Sequence, residues 1–418
     1  MFEKCLKKIE LMTKKTTAQT TFNLVTLILL SLYILVSFGQ LQRIQLSYNI
    51  AFYVHDFLAV CLVGLILISV KLSDLKKHLL IFCKNNLLLG YFFSWSLVSL
   101  VANQMMAGFS LIPWLYWVRL LTYLGVGFGI KVLIKQKKLK LAWVQLSLGL
   151  NLGLIVLLGI LQYWLIPDLR FLGNMGWDVH YYRLAGSLLD PNFAGMILVM
   201  ILISVLYKFN FQKKWLKYLL FGTLLPLLLL TYSRSSYGSF LVSFSLILIA
   251  KKQTQLNFSK KIIAGLIVGF MILMPFLPKP GGLGVDLTRT ETIASRVRVN
   301  QIVLQNIEAK DVIIGKGMFV PTVNIALSKN NSEKIVHAHF PDNLLVFLLS
   351  ATGLPGLILA CIYLGKLLWV CYQRQTGNFL LILSILLHSL FNLTIFEPIN
   401  LLILLLALNT SKKTSLDT

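Results

Sequence analysis

Residues 279–342 read KPGGLGVDLTRTETIASRVRVNQIVLQNIEAKDVIIGKGMFVPTVNIALSKNNSEKIVHAHFPD. This is the one long polar segment of the chain, and it carries eight of its Lys and Arg residues. On both sides the sequence turns apolar. Upstream lies Ile262 to Pro278; downstream come Asn343, an apolar helical pattern and Gly353-Leu354-Pro355-Gly356. A polar island between such runs reads as a loop held at one surface of a membrane-embedded bundle.

Composition agrees. Of 418 residues, 57% are hydrophobic and 13% charged, whereas a soluble chain has about 25% charged residues. Apolar runs of about 18–22 residues can each cross a hydrocarbon core. Twelve spans are expected, at 22–38, 51–70, 86–104, 112–134, 141–166, 189–207, 217–231, 236–250, 262–278, 342–364, 379–396 and 398–410. Only Glu397-Pro398 parts the last two, and the residue before a proline avoids helical backbone. The expected fold is an all-α polytopic transmembrane helical bundle, a single integral membrane domain over 1–418. Its one large extracytoplasmic loop, 279–341, lies between spans nine and ten. The basic N-terminus followed by 22–38 resembles a secretory leader, but no small-x-small cleavage site follows, so it reads as a retained first helix.

The formal net charge of +24 suggests nucleic acid until its distribution is read. Twenty-six of the 39 Lys and Arg residues fall in the N-terminal tail and alternate connections, offset there only by Glu3, Glu10, Asp74 and Asp417. The positive-inside rule places that side, and both termini, in the cytoplasm. Lysines facing anionic lipid account for the charge, so membrane lipid is an expected partner and nucleic acid is not.

Arginine behaves differently. Arg43, Arg119, Arg170, Arg183, Arg234, Arg289, Arg296 and Arg298 fall on the outer side or at the outer end of a span; Arg374 alone lies inside. Lysine and arginine serve the topology rule alike, but the planar guanidinium fork binds phosphate at two points. The bias points to an anionic substrate outside. The plainer reading is pairing with outer Asp and Glu. None of the five cysteines has metal-ligand spacing, and neither disulfide nor zinc is expected. No internal repeat is visible, which weighs against an inverted-repeat transporter.

Four places carry candidate chemistry. In Arg183-Leu184-Ala185-Gly186-Ser187-Leu188-Leu189-Asp190-Pro191-Asn192, Asp190 can cap a helix with Pro191 in its first turn. Arg183 beside that helix start makes an anion site. In Thr231-Tyr232-Ser233-Arg234-Ser235-Ser236 the turn is so short that Arg234 must sit at the membrane surface, where charge is costly unless used; snorkelling to headgroups is the bland alternative.

Thr288-Arg289-Thr290-Glu291 matches a capping box. Ile293, Val297, Leu304 and Ile307 then predict an amphipathic surface helix over 290–309, with Arg296 and Asn300 on one face. Gly315-Lys316-Gly317 makes a turn; a lone Gly-x-Gly says little about phosphate. Finally, His337-x-His339 precedes Asp342. With no third ligand cluster, a general base is expected rather than a metal, against a plain surface histidine. His388, one turn before Asn392, reads as a structural hydrogen bonder.

In this order, Arg183 through Asn192, the Ser233-Arg234 turn, the Arg296 helix leading to Gly315-Lys316-Gly317, and His339 followed by Gly353-x-x-Gly356 resemble the O-antigen ligase / O-antigen polymerase (Wzy-type) family of bacterial membrane glycosyltransferases. The resemblance covers 183–356. It implies surface polysaccharide assembly: transfer of an undecaprenyl-pyrophosphate-linked oligosaccharide to an acceptor glycan hydroxyl on the outer face of the bacterial cytoplasmic membrane. No metal or other cofactor is implied; a chain-length regulator is a further implied partner. Arg183, Arg234, Arg296 and Asn192 would bind the donor.

The family has a His-Asn pair eleven residues before the first Gly of Gly-x-x-Gly. Here that register holds Asp342-Asn343, with His339 three residues earlier. The base maps onto His339 or Asp342, with His337 beside them; His339 is favoured, with Asp342 as orienting partner or substitute. A repeat-unit polymerase is the preferred reading, a ligase the alternative. A transporter or flippase of lipid-linked sugars is the alternative from another class, disfavoured because polar groups gather at the outer rim rather than mid-span.

Overall fold

The apolar runs become helices. The computed structural model describes residues 24–47, 50–175, 177–209, 213–249, 259–329 and 339–409. Helix α1 (Leu24–Val36) leads into an antiparallel hairpin, β1 (Arg43–Ser47) and β2 (Ile50–Tyr53), which pairs Arg43 with Tyr53. Helices α2 (Val54–Ser69) and α3 (Leu72–Asn85) follow, bent 112° to each other. Next come α4 (Leu87–Ala107), α5 (Ile112–Lys135) and α6 (Leu141–Leu165). A largely irregular stretch, 166–190, precedes α7 (Pro191–Tyr207), α8 (Lys214–Leu229), α9 (Arg234–Ile249) and α10 (Lys260–Leu273). The polar island folds as α11 (Glu291–Gln305), α12 (Ala309–Ile313) and α13 (Thr322–Lys329). Helices α14 (Leu344–Arg374), α15 (Thr376–Ser389) and α16 (Pro398–Asn409) complete the element order.

The chain is all-α apart from that hairpin among the described residues. By length and composition, α4, α5, α6 and α14 can cross a membrane, and the bent pair α2–α3 makes a fifth if counted as one span. Six further apolar helices, α1, α7, α8 from Trp215, α9, α15 and α16, run to 17 residues or fewer. The run expected at 51–70 therefore begins in a strand and ends at a sharp bend. No residue of α3 is buried.

Helix α7 is the centre of the bundle. It is apolar all round and buried continuously from Ala194 to Leu206, the pattern of a helix enclosed by others. It packs against α8, α9, α15 and α16. Its start is set as expected: the Asp190 side chain accepts from Asn192 N at 2.7 Å, and Pro191 occupies the first turn. The N-termini of α7 and α9 meet here, since Ser236 Oγ donates to Asn192 O at 3.2 Å. Asn343 Nδ2 donates to Leu390 O at 3.0 Å, bringing the start of α14 to the end of α15.

Two expected details differ. Helix α11 starts at Glu291 without a side-chain cap: its N-cap position is Thr290, and Thr288, two residues before it, donates its hydroxyl to Asp286 Oδ1 at 2.7 Å. The capping box forms at α12, between Glu308 and Asp311. Helix α14 starts not at 342, where the span was expected to begin, but at Leu344, where Asn343 Oδ1 accepts from Leu345 N at 2.9 Å and Val346 N at 3.2 Å.

Inside α14 the backbone breaks at Gly353 (φ 65°, ψ −175°). The carbonyls released there are taken up by the island. Lys316 N donates to Ser350 O at 2.8 Å and Gly317 N to Ala351 O at 2.9 Å. Trp95 Nε1 on α4 donates to Thr352 O at 2.8 Å. The two backbones touch: a Cβ on Gly315 would lie 2.4 Å from Ala351 O, and one on Gly353 would lie 2.4 Å from Ile313 O. Lys316 is buried, with Nζ 2.6 Å from Asn306 O and 3.5 Å from Asp311 Oδ2. The Gly-Lys-Gly turn is thus a helix-docking device.

Candidate active site at the converging helix ends

Arg183 is carried to the helix ends by the chain before α7, where Leu184 N donates to Leu230 O at 2.8 Å. Its side chain is 5% exposed. Nε donates to Thr231 O at 3.0 Å and Nη2 to Tyr232 O at 3.4 Å. Tyr232 holds a left-handed backbone (φ 51°) that turns its carbonyl to these donors, and its hydroxyl donates to Pro278 O. Arg289, also buried, reaches the same carbonyl: Nη2 to Tyr232 O at 3.3 Å. Its Nη1 binds Gly284 O at 2.5 Å and Asp286 O at 2.7 Å, while its Nε is buried without a partner. Arg234 Nη1 donates to Arg289 O at 2.6 Å, and its Nη2 to Thr292 Oγ1 at 2.7 Å. Arg296 closes the group, with Nη2 2.7 Å from Asn392 Oδ1 and Nε 3.5 Å from Asp342 Oδ2.

The charge balance is one-sided. Among the described residues, only Arg296 of these four is in an ion pair; Arg183, Arg234 and Arg289 are held by carbonyls and a hydroxyl. Burial, and then the neighbouring Arg289, push the Arg183 guanidinium down to about 9. Burial lowers Arg289 as well, followed by Arg234 and Arg296. Arginine normally stays protonated under all conditions; here burial is the larger cause of the depression, the neighbouring arginines add to it, and Asp190 and Asp286 offset it only in part. Arg234 also stands at the first residue of α9, where the helix dipole disfavours a cation. A bound anion relieves all these costs, and helix N-termini favour one.

Beside the arginines lies a hydroxyl and imidazole network. His388 Nε2 is 3.0 Å from Ser235 Oγ and 3.1 Å from Ser236 Oγ, and Nδ1 is 2.5 Å from Thr394 Oγ1. Asn392 Nδ2 donates to Ser235 Oγ at 3.0 Å. Ser233 Oγ donates to Asn192 Oδ1 at 3.1 Å.

Arg183, Arg234, Arg296, Asn192 and Asp342 are therefore linked at one end of the bundle. The His339 ring is exposed, and Asn324 Nδ2 on α13 donates to its Nδ1 at 3.0 Å. His337 lies outside the described residues. Arg289 escaped sequence reasoning because its motif read as a cap. Ser235 and Ser236 escaped because serine is common in turns; the signal was three serines around one arginine. His388 and Asn392 were visible as a pair one turn apart, but nothing in the sequence places them against Ser235 and Arg296.

Asp342 gives a testable pH dependence. It precedes α14, and burial raises its carboxyl from 3.8 to about 6, with Arg296 opposing. Between these values the folded protein binds more protons here than the unfolded chain. This residue's contribution to stability therefore falls as pH rises from 3.8 to 6. Asp342→Asn is expected to flatten that part of a detergent-solubilised melting-temperature profile; an unchanged slope would show that another group carries it.

Compared with known proteins, the chain matches no family model and no curated sequence, so the site stands on its own geometry.

Proposed function

We propose that this protein is a membrane glycosyltransferase of bacterial surface polysaccharide assembly. It transfers a glycan from an undecaprenyl-pyrophosphate carrier to an acceptor sugar hydroxyl at the outer face of the cell membrane, joining repeat units as a polymerase. The observation that carries this reading is the convergence of Arg183, Arg234, Arg289 and Arg296, with the single paired carboxylate Asp342, at one end of an apolar helical bundle. The reaction's barrier lies in charge building on the departing diphosphate. Preorganised cations in a partly dry site stabilise that charge before it forms. The acceptor hydroxyl must also lose a proton to a nearby base.

The topology proposed with this function has twelve spans, both termini in the cytoplasm, and the island 279–341 outside, which puts the arginines on the outer face. The whole chain serves as one membrane domain, with 183–356 carrying most of the donor contacts. A chain-length regulator and the acceptor glycan are its partners.

The test is direct. Purified protein in vesicles is given lipid-linked repeat units, and the products are sized. A ladder of longer lipid-linked glycans is expected. Transfer only to a chemically distinct acceptor would make the protein a ligase. Loss of substrate from one leaflet without any new glycosidic bond would make it a transporter and end the transferase reading.

A further inference from the structure

The helix ends that carry the arginines also hold a serine, a histidine and a threonine whose hydrogen-bond directions can be worked out one by one. Thr394 Oγ1 donates its single proton to Asn392 O at 2.9 Å. The same oxygen lies 2.5 Å from His388 Nδ1 and can accept from an Nδ1–H, the tautomer the relay requires. In that tautomer His388 Nε2 has its lone pair free, and it faces Ser235 Oγ at 3.0 Å and Ser236 Oγ at 3.1 Å.

The two serines are not equivalent. Ser236 is fully buried and has a second acceptor in Asn192 O, 3.2 Å away. Ser235 is half-buried, next to Arg234 at the accessible rim. Its Oγ receives a proton from Asn392 Nδ2 at 3.0 Å, and that amide is turned by Arg296, whose Nη2 donates to Asn392 Oδ1 at 2.7 Å. Ser233, its other hydroxyl neighbour, donates to Asn192 Oδ1 at 3.1 Å. This pattern lets the Ser235 proton point at a base nitrogen while an oxygen lone pair stays available to a hydroxyl arriving from the arginine side. Asp342, the carboxylate in reach, already has its charge engaged by Arg296.

We propose that Ser235 and His388 form the proton-accepting relay for the acceptor hydroxyl. The inference rests on the transferase reading and assigns its base. The acceptor oxygen bonds to the anomeric carbon as the carbon–oxygen bond to the diphosphate breaks, its electron pair leaving on the diphosphate. The acceptor proton passes to Ser235 Oγ, and the proton of Ser235 passes to His388 Nε2. Thr394 holds the ring in the tautomer that can accept. The extra negative charge on the diphosphate and the positive charge on His388 balance, and both are discharged when the proton leaves with product or water. Ser235 touches the substrate; His388 acts through it.

The experiment uses the full chain in vesicles with lipid-linked repeat units, comparing Ser235→Ala and His388→Gln with the unaltered protein. Gln keeps hydrogen-bonding atoms in place of the ring but is no base. Each variant is expected to lower kcat about 100- to 1,000-fold, with KM for the lipid-linked donor changed less than about twofold. The double variant is expected to be no slower than either single one. The solvent deuterium isotope effect on kcat is expected to fall in Ser235→Ala, which a purely structural serine would not produce.

A normal kcat in either variant, or a raised KM at normal kcat, overturns the relay and leaves the transferase reading intact. Should His388→Gln fail to accumulate, Ser235→Ala carries the test alone, since it removes one oxygen at an accessible position. Absence of glycan transfer by the unaltered protein overturns both.

Discussion

Arg183→Ala is expected to reduce glycan transfer by about 100- to 1,000-fold, the usual loss when a preorganised charge donor is removed from a developing anion. The protein should still reach the membrane. The side chain does more than wait for substrate, because its Nε satisfies Thr231 O. Leaving a buried carbonyl unpaired costs about 1–3 kcal/mol, while Tyr232 O keeps its bond from Arg289. A modest drop in melting temperature is therefore expected beside a large drop in rate. Arg183→Lys sharpens the result. A lysine restores the charge but not the planar fork, and Arg183 uses Nε and Nη2 on two different carbonyls. It should recover stability better than rate. If Arg183→Ala transfers glycan normally in sized product assays, the arginine cluster is a packing feature and the site lies elsewhere.

Gly353→Ala, like Gly315→Ala across the same contact, is expected to be severely damaging for a single methyl group. Gly353 sits at φ 65°, and the new Cβ would lie 2.4 Å from Ile313 O and 2.9 Å from Val312 O. At φ 65° and ψ −175° the backbone lies in a region essentially restricted to glycine, which costs an alanine about 1–3 kcal/mol. The collision adds more, because backbone on both sides must move. Separation of the two backbones here would also expose the carbonyls that Lys316 N and Gly317 N now cover. We expect a melting temperature lowered by many degrees, or failure to accumulate, with loss of activity in any protein that survives. Gly222→Ala is the control, since nothing lies within 4 Å of its added Cβ. Equal behaviour of the two variants would mean that the docking of the island against α14 contributes little.

The sequence made the scaffold legible because apolar runs and their breaks are local. Asp190 with Pro191 appears where its chemistry put it, and α16 starts at Pro398 as expected, although α15 already ends at Ser389 rather than running to 396. What stayed hidden depends on contacts between distant residues. The hairpin at 43–53 has no turn signal strong enough to stand out, and the 112° bend after α2 is set by tertiary packing. Thr288 is not the cap because α11 begins two residues later than the box requires, with Thr290 at the N-cap position. In the candidate site, the cations were legible from their uneven placement. The sharing of Tyr232 O by Arg183 and Arg289 was not, since it joins three segments 49 to 57 residues apart. The same holds for His388, whose serine partners lie more than 150 residues upstream.

The break in α14 has a consequence for how this chain tolerates change in length. Eleven positions separate Asp342 from Gly353, close to three turns of helix. One end of that piece is clamped where the glycine backbones cross; the other presents Asp342 to Arg296. Adding or deleting one residue between them would rotate the carboxylate by about 100° around the helix axis. The intervening segment works as a gauge of fixed angle: its side chains can be exchanged for others of similar size, but its residue count cannot drift.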